Sequence, residues 1–307
     1  MHSRAPTRWR PGPSYFRSGV HSYAVAGSSV AARRGKGMAL TVRDAFGQPF
    51  EVAEPARRII SLIPSITEIF FSLGVGDRVV GVTKFCTAPP AGVAGKPKVG
   101  GQKNPRVDAI IDLKPDLVVA NVEENRKEHV EALRAAGVNV FVTYPRTVRE
   151  GIQLIRDLGV LTDTSAQAGA IAAGCEASLA EVAQATAGRA PVRVFCPIWR
   201  NPYMTVNQDT FIHDMLRVCG GENIFLDHPE RYPRVQLGEV AARKPEVILL
   251  PDEPFPFGEK HLGDFEALGD VPAVRAGRLH LLDGKVLSWY GPRIAASLRT
   301  LFTLLNR

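Results

Sequence analysis

The sequence predicts an α/β protein with two doubly wound parallel-sheet lobes joined by a long backbone helix. Three observations lead to this prediction. Apolar, β-rich runs alternate with helical patterns in both halves of the chain, which is typical of parallel sheets covered by helices. Between the halves, Val148–Ala187 has helical periodicity and no strand pattern. One helix–strand segment also occurs twice, once in each half of the chain.

The first 37 residues differ in composition from the rest of the chain. They carry seven basic residues and no acidic one, so the remainder holds 31 of each although the whole chain has a formal charge of +7. We expect a disordered basic tail or a mis-assigned start before Met38; an organelle transit peptide has a similar composition. No apolar signal segment follows Arg33-Arg34. Because the excess charge lies in this tail, we expect no nucleic-acid partner.

Residues 38–55 predict an N-terminal β-hairpin arm, and residues 56–145 an N-lobe. The predicted strands of this lobe are Arg58–Leu62, Asp77–Thr83, Asp116–Asn121 and Asn139–Thr143, and its predicted helices are Ser65–Leu73, Val107–Leu113 and Glu128–Ala136. Gly74 and Gly137 end two of these helices, because glycine readily adopts the positive φ of a helix C-terminus. Ser65 and Glu68 have the spacing of a capping box, which predicts a helix N-terminus there.

Residues 146–188 are predicted to form connecting helices, and residues 189–307 a C-lobe. The connecting segment is too regular for a flexible linker. The predicted strands of the C-lobe are Val192–Cys196, Glu246–Leu250 and Arg278–Leu282, and its predicted helices are Phe211–Cys219, Glu239–Arg243, His261–Leu268 and Pro292–Leu305. Pro292 is expected in the first turn of the last helix, where its missing N–H has no cost.

The internal repeat supports the two-lobed prediction. Val107–Ala120 matches Leu237–Leu250, and each copy is a helix, then Lys-Pro-acid, then an apolar strand. Proline ends the helix because it removes a donor and disfavours helical backbone in the residue before it. Two similar lobes predict a cleft between them, with a ligand held by the loops that follow the strands.

Aromatic and cationic side chains are concentrated in those loops. The candidate ligand-binding residues are Phe85, Gln102, Trp199, Arg200, Tyr203, Tyr232, Trp289 and Arg293. Large aromatic residues beside proline and glycine commonly line pockets, although they can also belong to the core. The arginines suit carboxylate or phosphate groups on a ligand, or they brace the loops. The pattern assigns no role to Asp252–Phe257.

Neither a metal site nor a catalytic constellation is visible. The four cysteines, Cys86, Cys175, Cys196 and Cys219, form no C-x-x-C pair, and no histidines have metal-ligand spacing. We expect buried free thiols, no catalytic residue and no intrinsic cofactor or metal. The alternative is an enzyme on the same fold that uses Cys86 as a thiolate, although only Lys84 lies nearby in sequence to lower its pKa.

Several ordered motifs resemble the helical-backbone periplasmic-binding family, the class III iron and cobalamin receptors. They are Ile63–Ile69, Leu73–Val82, Leu113–Val118, Gly220–Phe225 and Ala242–Val247, within residues 57–306. The resemblance is greatest to the cobalamin-binding branch. It implies a monomeric, extracytoplasmic substrate-binding protein of an ABC importer, whose ligand is cobalamin-like or another metal chelate, a siderophore or haem. A stand-alone cytoplasmic cobamide or tetrapyrrole binder is the alternative, because no export signal is visible.

The resemblance also implies roles for single residues. Phe85 and Tyr232 match aromatic ligand contacts of the cobalamin-binding branch, and either Ile198 or Trp199 matches another. Gln102 departs from the pattern, because that branch has tryptophan there.

One acidic residue on each lobe of that branch docks on arginines of the dimeric permease. The first of these matches Asp108. The second falls on Gly238, with Glu239 one residue further along. The resemblance therefore implies Asp108 and Glu239 as the docking pair.

Overall fold

The computed structural model describes residues 39–306, so the predicted basic tail lies outside the described residues. The described chain begins with an antiparallel hairpin of β1 (Leu40–Arg43) and β2 (Pro49–Val52), as the sequence predicts. Its turn is closed by the Asp44 side chain, whose Oδ1 accepts the backbone N–H groups of Phe46 and Gln48 at 2.9 and 3.0 Å.

The N-lobe is a four-stranded parallel sheet in the order β4-β3-β5-β6. Its strands are β3 (Ile59–Ser61), β4 (Val79–Val82), β5 (Leu117–Asn121) and β6 (Val140–Thr143), and its helices are α1 (Pro64–Ser72), α2 (Pro90–Ala94), α3 (Val107–Asp112) and α4 (Lys127–Ala135). Every residue of β5 and β6 is buried. Continuous apolar strands of this kind need helical cover on both faces of the sheet.

Two helices connect the lobes, α5 (Val148–Thr162) and α6 (Ser165–Thr186). A capping box starts α5: Thr147 Oγ1 accepts from the Glu150 N–H at 3.1 Å, and Glu150 Oε2 accepts from the Thr147 N–H at 3.2 Å. Asp163, with φ of 58°, ends the helix. A β-carbon on Gly159 would lie 2.3 Å from that of Ala168, so glycine permits the close contact between the two helices.

The C-lobe repeats the topology of the N-lobe, with the strand order β10-β9-β7-β8. Its strands are β7 (Val192–Phe195), β8 (Gly221–Asn223), β9 (Val247–Pro251) and β10 (Leu279–Leu282), and its helices are α7 (Phe211–Val218), α8 (Leu237–Ala242), α9 (Leu262–Glu266), α10 (Pro272–Arg275), α11 (Lys285–Ser288) and α12 (Ile294–Leu305). In each sheet the first strand lies between the second and third. The fold class predicted from the sequence is therefore confirmed.

The internal repeat is reproduced in the backbone. Helices α3 and α8 begin at Val107 and Leu237, the first residue of each copy, and strands β5 and β9 also begin at equivalent positions. The lysine of each Lys-Pro pair, Lys114 and Lys244, has φ of 47°. A left-handed residue after the helix turns the chain sharply into the strand, and this is how both copies end their helix.

An arginine braces each copy of this turn. In the N-lobe, Arg58 Nη2 donates to the Leu113 carbonyl at 2.6 Å, and the Asp116 carboxylate accepts from the Arg58 N–H at 3.0 Å. In the C-lobe, Arg193 Nη2 donates to the Arg243 carbonyl, and Glu246 accepts from the Arg193 N–H at 2.8 Å. The brace therefore joins the first and third strands of each sheet in the same way.

One apolar core cluster runs through the N-lobe, the connecting helices and part of the C-lobe. Ile155 and Leu158 of α5 are fully buried within it. A second cluster, which includes Phe195 and Phe265, is confined to the C-lobe. The connecting helices are thus part of a shared core, which limits the ways in which the lobes can move apart.

Two predictions of local structure are wrong, and four short elements have no prediction. Helix α1 begins at Pro64 after Ile63, and no side chain caps it, so Ser65 and Glu68 do not form a capping box. Proline supplies a favourable first turn there without a capping side chain. Helix α12 begins at Ile294, so Pro292 precedes its first turn. The short elements β8, α2, α10 and α11 were not predicted, because three to five residues are too few for a periodic pattern.

Candidate functional site

The strand order of each sheet defines a switch point at its carboxyl edge, where open α/β sheets commonly bind ligands. Side chains after the N-lobe strands contact side chains of the C-lobe loops. Asn121, at the end of β5, donates through Nδ2 to the Tyr290 hydroxyl at 3.1 Å. Two residues further along, Glu123 contacts Arg231 and Tyr232. The carboxyl edges of the two sheets therefore face each other, and this apposition defines the candidate site, which we call the inter-lobe site.

Glu123 and Arg231 form an ion pair across the inter-lobe site. Arg231 Nε lies 2.9 Å from Glu123 Oε1, and the Tyr232 hydroxyl donates to the same oxygen. Burial of the hydroxyl and the neighbouring carboxylate raise the pKa of Tyr232 well above its usual value, so the phenol is neutral at physiological pH. The residue as a whole is nevertheless 37% exposed. Tyr232, a predicted ligand contact, thus presents an accessible aromatic face at this site.

A second ion pair extends this contact. Asp209 accepts from Arg231 Nη1 at 2.6 Å and from Arg146 Nη1 at 2.9 Å. The Tyr144 ring lies against both cations, with its centroid 5.1 Å from the Arg231 guanidinium and 5.6 Å from that of Arg146. Burial raises the pKa of Tyr144 to about 12. Arg146 and Tyr144 follow β6, so both lobes contribute to this network.

The predicted residue Trp289 lies on the same edge but is buried, with 7% of its surface exposed. Its indole N–H donates to Glu253 Oε1 at 2.8 Å. Burial raises the pKa of Glu253, although Lys285 nearby opposes the shift. Glu123 and Glu253 occupy equivalent positions, after β5 and after β9. Equivalent carboxylates of the two repeats therefore each accept a hydrogen bond from a C-lobe aromatic side chain, Glu123 from Tyr232 and Glu253 from Trp289.

Glu124 follows Glu123 in the N-lobe loop. Burial raises the pKa of the Glu124 carboxyl, and the neighbouring charges of Glu123 and Glu253 raise it further, while Lys103 opposes the shift. The Lys103 ammonium donates to the Glu123 carbonyl. The N-lobe side of the inter-lobe site is therefore predominantly acidic.

Two of the predicted arginines are fully engaged by carboxylates. Arg200 donates through Nε and Nη2 to Asp264 at 2.6 and 3.1 Å, and the Tyr203 hydroxyl donates to the same carboxylate. Arg293 donates through Nε and Nη2 to Glu68 at 2.6 and 2.8 Å. In this state both arginines brace the fold, and Tyr203 is part of the first brace. Glu68 thus pairs with the C-lobe rather than with its own helix terminus.

The remaining aromatic candidates differ in exposure. Phe85, after β4, is 50% exposed, and the Lys84 ammonium lies 5.0 Å from its ring centroid. Trp199 is half-buried and contacts the Phe255 ring edge-on, at a centroid distance of 5.6 Å. The unassigned loop Asp252–Phe257 therefore supports Trp199 through Phe255 and Trp289 through Glu253.

Gln102 lies in the N-lobe beside the Glu123 loop. Its backbone carbonyl accepts from Asn125 Nδ2 at 2.9 Å, and Asn125 Oδ1 in turn accepts from the Asn121 N–H at 2.8 Å. This connects the Gln102 loop to the end of β5. Gln102 is half-buried, and the next residue, Lys103, donates a hydrogen bond to the Glu123 carbonyl.

The predicted docking residues lie in equivalent helices. Asp108 is exposed in the first turn of α3, and Glu239 is exposed in the first turn of α8. Glu239 Oε2 accepts from the Gln236 N–H at 2.7 Å, so this carboxylate caps its own helix. Gly238, the equivalent of Asp108, is also exposed. Of the two carboxylates, Asp108 is the one without such a helix-capping role.

All four cysteines are buried free thiols, as predicted. Cys86 Sγ lies 3.1 Å from Thr67 Oγ1 and 3.2 Å from Thr83 Oγ1. Burial raises the pKa of Cys196 and Cys219 to about 12. Among residues 39–306, no three His, Cys, Asp or Glu side chains are grouped closely enough to hold a metal ion. In the same residues, no helix combines the length and hydropathy needed to cross a bilayer.

Sequence reasoning missed Glu123, Tyr144, Asp209 and Arg231. A signal for two of them was available, because Glu123 and Tyr144 are among the first residues after parallel strands. Arg231 adjoins the predicted Tyr232, but nothing in the sequence indicates that it meets Asp209, 22 residues earlier, and Glu123, 108 residues earlier.

Comparisons with known proteins agree with this architecture. The family described as periplasmic binding protein matches residues 59–286. A vitamin B12-binding protein of Vibrio cholerae serotype O1 (strain ATCC 39541) is 29% identical over 194 residues, which are 63% of this chain and 70% of that protein.

Two solved structures are similar throughout their length. The periplasmic vitamin B12 binding protein BtuF of Vibrio cholerae has a TM-score of 0.73 at 26% identity, over 82% of this chain and 97% of that one. The periplasmic heme-binding protein RhuT from Roseiflexus sp. RS-1, in apo form, has a TM-score of 0.72 at 28% identity, over 81% of this chain and 98% of that one. The fold and the facing sheet edges define a two-lobed binding protein. This chain belongs to the periplasmic binding protein family.

Proposed function

We propose that this protein is the substrate-binding protein of an ABC importer and that it holds a metal chelate between its lobes. The observation that carries the proposal is the apposition of the two carboxyl edges, where Glu123 of one lobe meets Arg231 and Tyr232 of the other. The relatives named for vitamin B12 and for heme support a corrinoid or porphyrin ligand. A ferric siderophore is a further member of the same ligand class.

The predicted aromatic residues suit such a ligand. Phe85 and Tyr232 are exposed on opposite lobes, and Trp199 is half-buried. Their rings offer flat apolar surface, and burying a large aromatic side chain contributes about 2 kcal/mol when it packs well against a ligand. Closure of the lobes on a flat ligand would bury these faces. Gln102, Arg200, Tyr203, Trp289 and Arg293 are proposed as the surrounding contacts.

Titration with cyanocobalamin, cobinamide, haem and a ferric siderophore tests the proposal, with tryptophan fluorescence as the signal. We expect one of them to bind with a Kd below about 10 μM. Trp199→Ala and Tyr232→Ala should each weaken that binding at least about tenfold, because each removes a large aromatic contact surface proposed for the ligand. Phe302→Ala, on α12, is the matched aromatic control and should leave the Kd unchanged. A protein that binds none of the four is not a receptor of this class.

The enzyme alternative has weaker support. The Cys86 thiol is buried between two threonine hydroxyls, and neither a histidine nor an acid hydrogen-bonds to it within residues 39–306. A catalytic thiolate needs a base or a cation close by. Binding of the ligand in a one-to-one ratio, with the ligand recovered chemically unchanged, is the expected result. Its conversion to another compound would favour an enzyme.

We further propose an extracytoplasmic, monomeric receptor that docks on a permease dimer through Asp108, with Glu239 as the second contact. Exposed charges of this kind mainly set the encounter rate and the register of a complex. Asp108→Lys combined with Glu239→Lys should abolish uptake by the cognate permease and leave the ligand Kd unchanged. Unimpaired uptake would contradict the docking proposal. A protein found in the cytoplasm would instead favour the stand-alone cobamide or tetrapyrrole binder.

A further inference from the structure

Three arginines at or near the inter-lobe site, Arg200, Arg231 and Arg293, differ in how their Nε and Nη2 atoms are hydrogen-bonded. The Nε and Nη2 atoms of arginine form a fork that matches the two oxygens of a carboxylate or phosphate. In Arg200 and Arg293 one carboxylate occupies both atoms of the fork. In Arg231 only Nε is used, since it alone donates to Glu123.

The second atom of the Arg231 fork has no hydrogen-bond partner. Arg231 Nη2 is buried and donates to no side chain or carbonyl oxygen among the described residues. The Tyr144 and Tyr232 rings lie 5.1 and 5.6 Å from the guanidinium centre, but stacking on rings does not replace an N–H···O bond. A buried unpaired donor is costly, so Arg231 Nη2 is available to donate to an acceptor that reaches it.

Within the described residues, Arg231 Nη2 has no partner because Glu123 uses a single oxygen for two donors. Its Oε1 accepts from both Arg231 Nε and the Tyr232 hydroxyl, and neither donor reaches its other oxygen. Glu123 belongs to the N-lobe, whereas Asp209, which holds Arg231 Nη1 at 2.6 Å, belongs to the same lobe as Arg231. When the lobes separate, Asp209 stays and Glu123 leaves. Without Glu123, neither atom of the Nε/Nη2 fork keeps a hydrogen-bond partner among residues 39–306.

We propose that Arg231 is the residue that recognises an anionic group, a carboxylate or a phosphate, on the ligand. The anionic group binds both Nε and Nη2 and displaces Glu123 from Nε. Asp209, which belongs to the same lobe, holds the guanidinium in position throughout. The inference rests on the proposed function and deepens it, because it selects among metal chelates those that carry a negative group near their edge.

Paired ligands that differ in that group test the inference. Haem carries two carboxylates and its dimethyl ester carries none; cobalamin carries a phosphodiester and cobinamide lacks it. Wild-type protein should prefer the anionic member of whichever pair it binds by about tenfold or more, since bidentate charge-assisted hydrogen bonds are among the stronger ones. The two pairs distinguish a carboxylate from a phosphate.

Arg231→Gln should reduce that preference to within about twofold, because the neutral amide gives at most one uncharged hydrogen bond. Arg231→Lys keeps the charge but loses the fork, and should retain only part of the preference. Comparing the ratio of Kd values between proteins cancels differences in ligand solubility. Arg156→Gln, which removes the pair with Glu176 on the connecting helices, is the matched control and should keep the full preference. Thermal melting checks that each variant is folded.

Glu123→Gln supplies an independent test. Removing the competing charge should tighten binding of the anionic member by a few-fold more than binding of the neutral member. If the protein binds a pair but Arg231→Gln and Arg231→Lys keep the wild-type preference, the inference is wrong and the proposed function stands. If none of the four compounds binds, the proposed function fails for these ligands, and the inference fails with it.

Discussion

The two lobes share their outer construction and differ where they face each other. Both sheets have the same strand order, and both repeats turn through a lysine with φ of 47° braced by an arginine. At the inter-lobe site, the N-lobe contributes carboxylates, Glu68, Glu123 and Glu124. The C-lobe contributes Arg231, Arg293 and the aromatic rings of Trp199, Tyr232 and Trp289. The backbone is thus maintained by features that repeat, whereas binding depends on loops that do not.

This difference has an electrostatic consequence. Glu123–Arg231 and Glu68–Arg293 each pair an N-lobe carboxylate with a C-lobe cation, whereas Arg146–Asp209 pairs the lobes in the opposite sense; all three pairs lie within hydrogen-bond distance. Partial burial strengthens such pairs, because water screens them less. A ligand that enters must therefore replace some of these contacts.

The largest effect is expected in the connecting helices, where the comparison predicts that the lobes are not independent. Leu158 is fully buried in the core cluster shared by both lobes. Leu158→Ala should lower the free energy of unfolding by about 2–5 kcal/mol, because it leaves a cavity. Urea unfolding should remain one transition. Leu281→Ala, at a residue 40% exposed in β10, is the control and should change stability by less than about 0.5 kcal/mol. Two separate transitions would show that the lobes unfold independently.

The equivalence of the two braces can be tested next. Arg58→Ala and Arg193→Ala each remove charge-assisted hydrogen bonds to the carbonyls of a Lys-Pro turn. We expect losses of about 1–2 kcal/mol, larger for the half-buried Arg193 than for the exposed Arg58. The measurement is the urea midpoint, with exposed Arg275→Ala as control. A loss at one site only would mean that the two turns are not held alike.

A smaller effect depends on pH and involves the connecting helix rather than either lobe. Burial raises the pKa of Asp157 to about 6 from 3.8. Because the folded-state pKa is the higher one, this group favours folding below about pH 4 and loses that contribution as the pH rises through 6. Asp157→Asn should therefore be more stable than wild type by about 1 kcal/mol at pH 7.5, after allowance for partial exposure.

At pH 4 the wild-type carboxyl is protonated in the folded state, so the gain should disappear. Thermal melts of both proteins at several pH values measure this. The nearby Gln153 amide donates to Asp157 at 2.8 Å, and asparagine retains an acceptor for it. A stability gain that is the same at both pH values would rule out titration of Asp157 as the cause.

The smallest expected effect concerns the left-handed lysines. Lys114→Gly and Lys244→Gly should each raise stability by about 0.5 kcal/mol, because glycine adopts positive φ without strain. This gain exceeds the opposing effect of glycine, which adds entropy to the unfolded chain. Lys127→Gly, in the first turn of α4, should instead be destabilising. Thermal melting of the three variants and the wild-type protein measures these stability differences. Destabilisation by glycine at 114 or 244 would show that the lysine side chain contributes more than its backbone strain costs.

Much of the fold was predictable, because long apolar patterns depend on local sequence. The strand alternation, the long helical segment and the repeat predicted two similar lobes, and α3 and α8 begin at equivalent residues of the two copies. The capping box was assigned to the wrong helix. Ser65-x-x-Glu68 and Thr147-x-x-Glu150 have the same spacing, but only the second starts a helix, since Pro64 already opens the first.

The site was less predictable, because it depends on contacts between distant residues. Phe85, Trp199 and Tyr232 could be selected as loop aromatics, and their role as ligand contacts stays a prediction. Arg200 and Arg293 are predicted contacts because they lie near aromatic residues in the sequence, yet their carboxylate partners are 64 and 225 residues away, respectively. Spacing within one loop cannot indicate such partners. The pairing of Arg231 Nε with Glu123, which leaves Nη2 without a partner in the described part of the chain, depends on contacts between the two lobes and could not be predicted from the sequence.

The most direct test is whether one ligand is held by both lobes at once. Hydrogen–deuterium exchange on the wild-type protein, with and without saturating haem or cyanocobalamin, reports this segment by segment. The account predicts that the probe which binds protects residues 83–88 and 121–126 of the N-lobe together with residues 199–204 and 229–236 of the C-lobe, and leaves α4 and α10 unchanged. Protection confined to one lobe, or located on the outer helices, would contradict it.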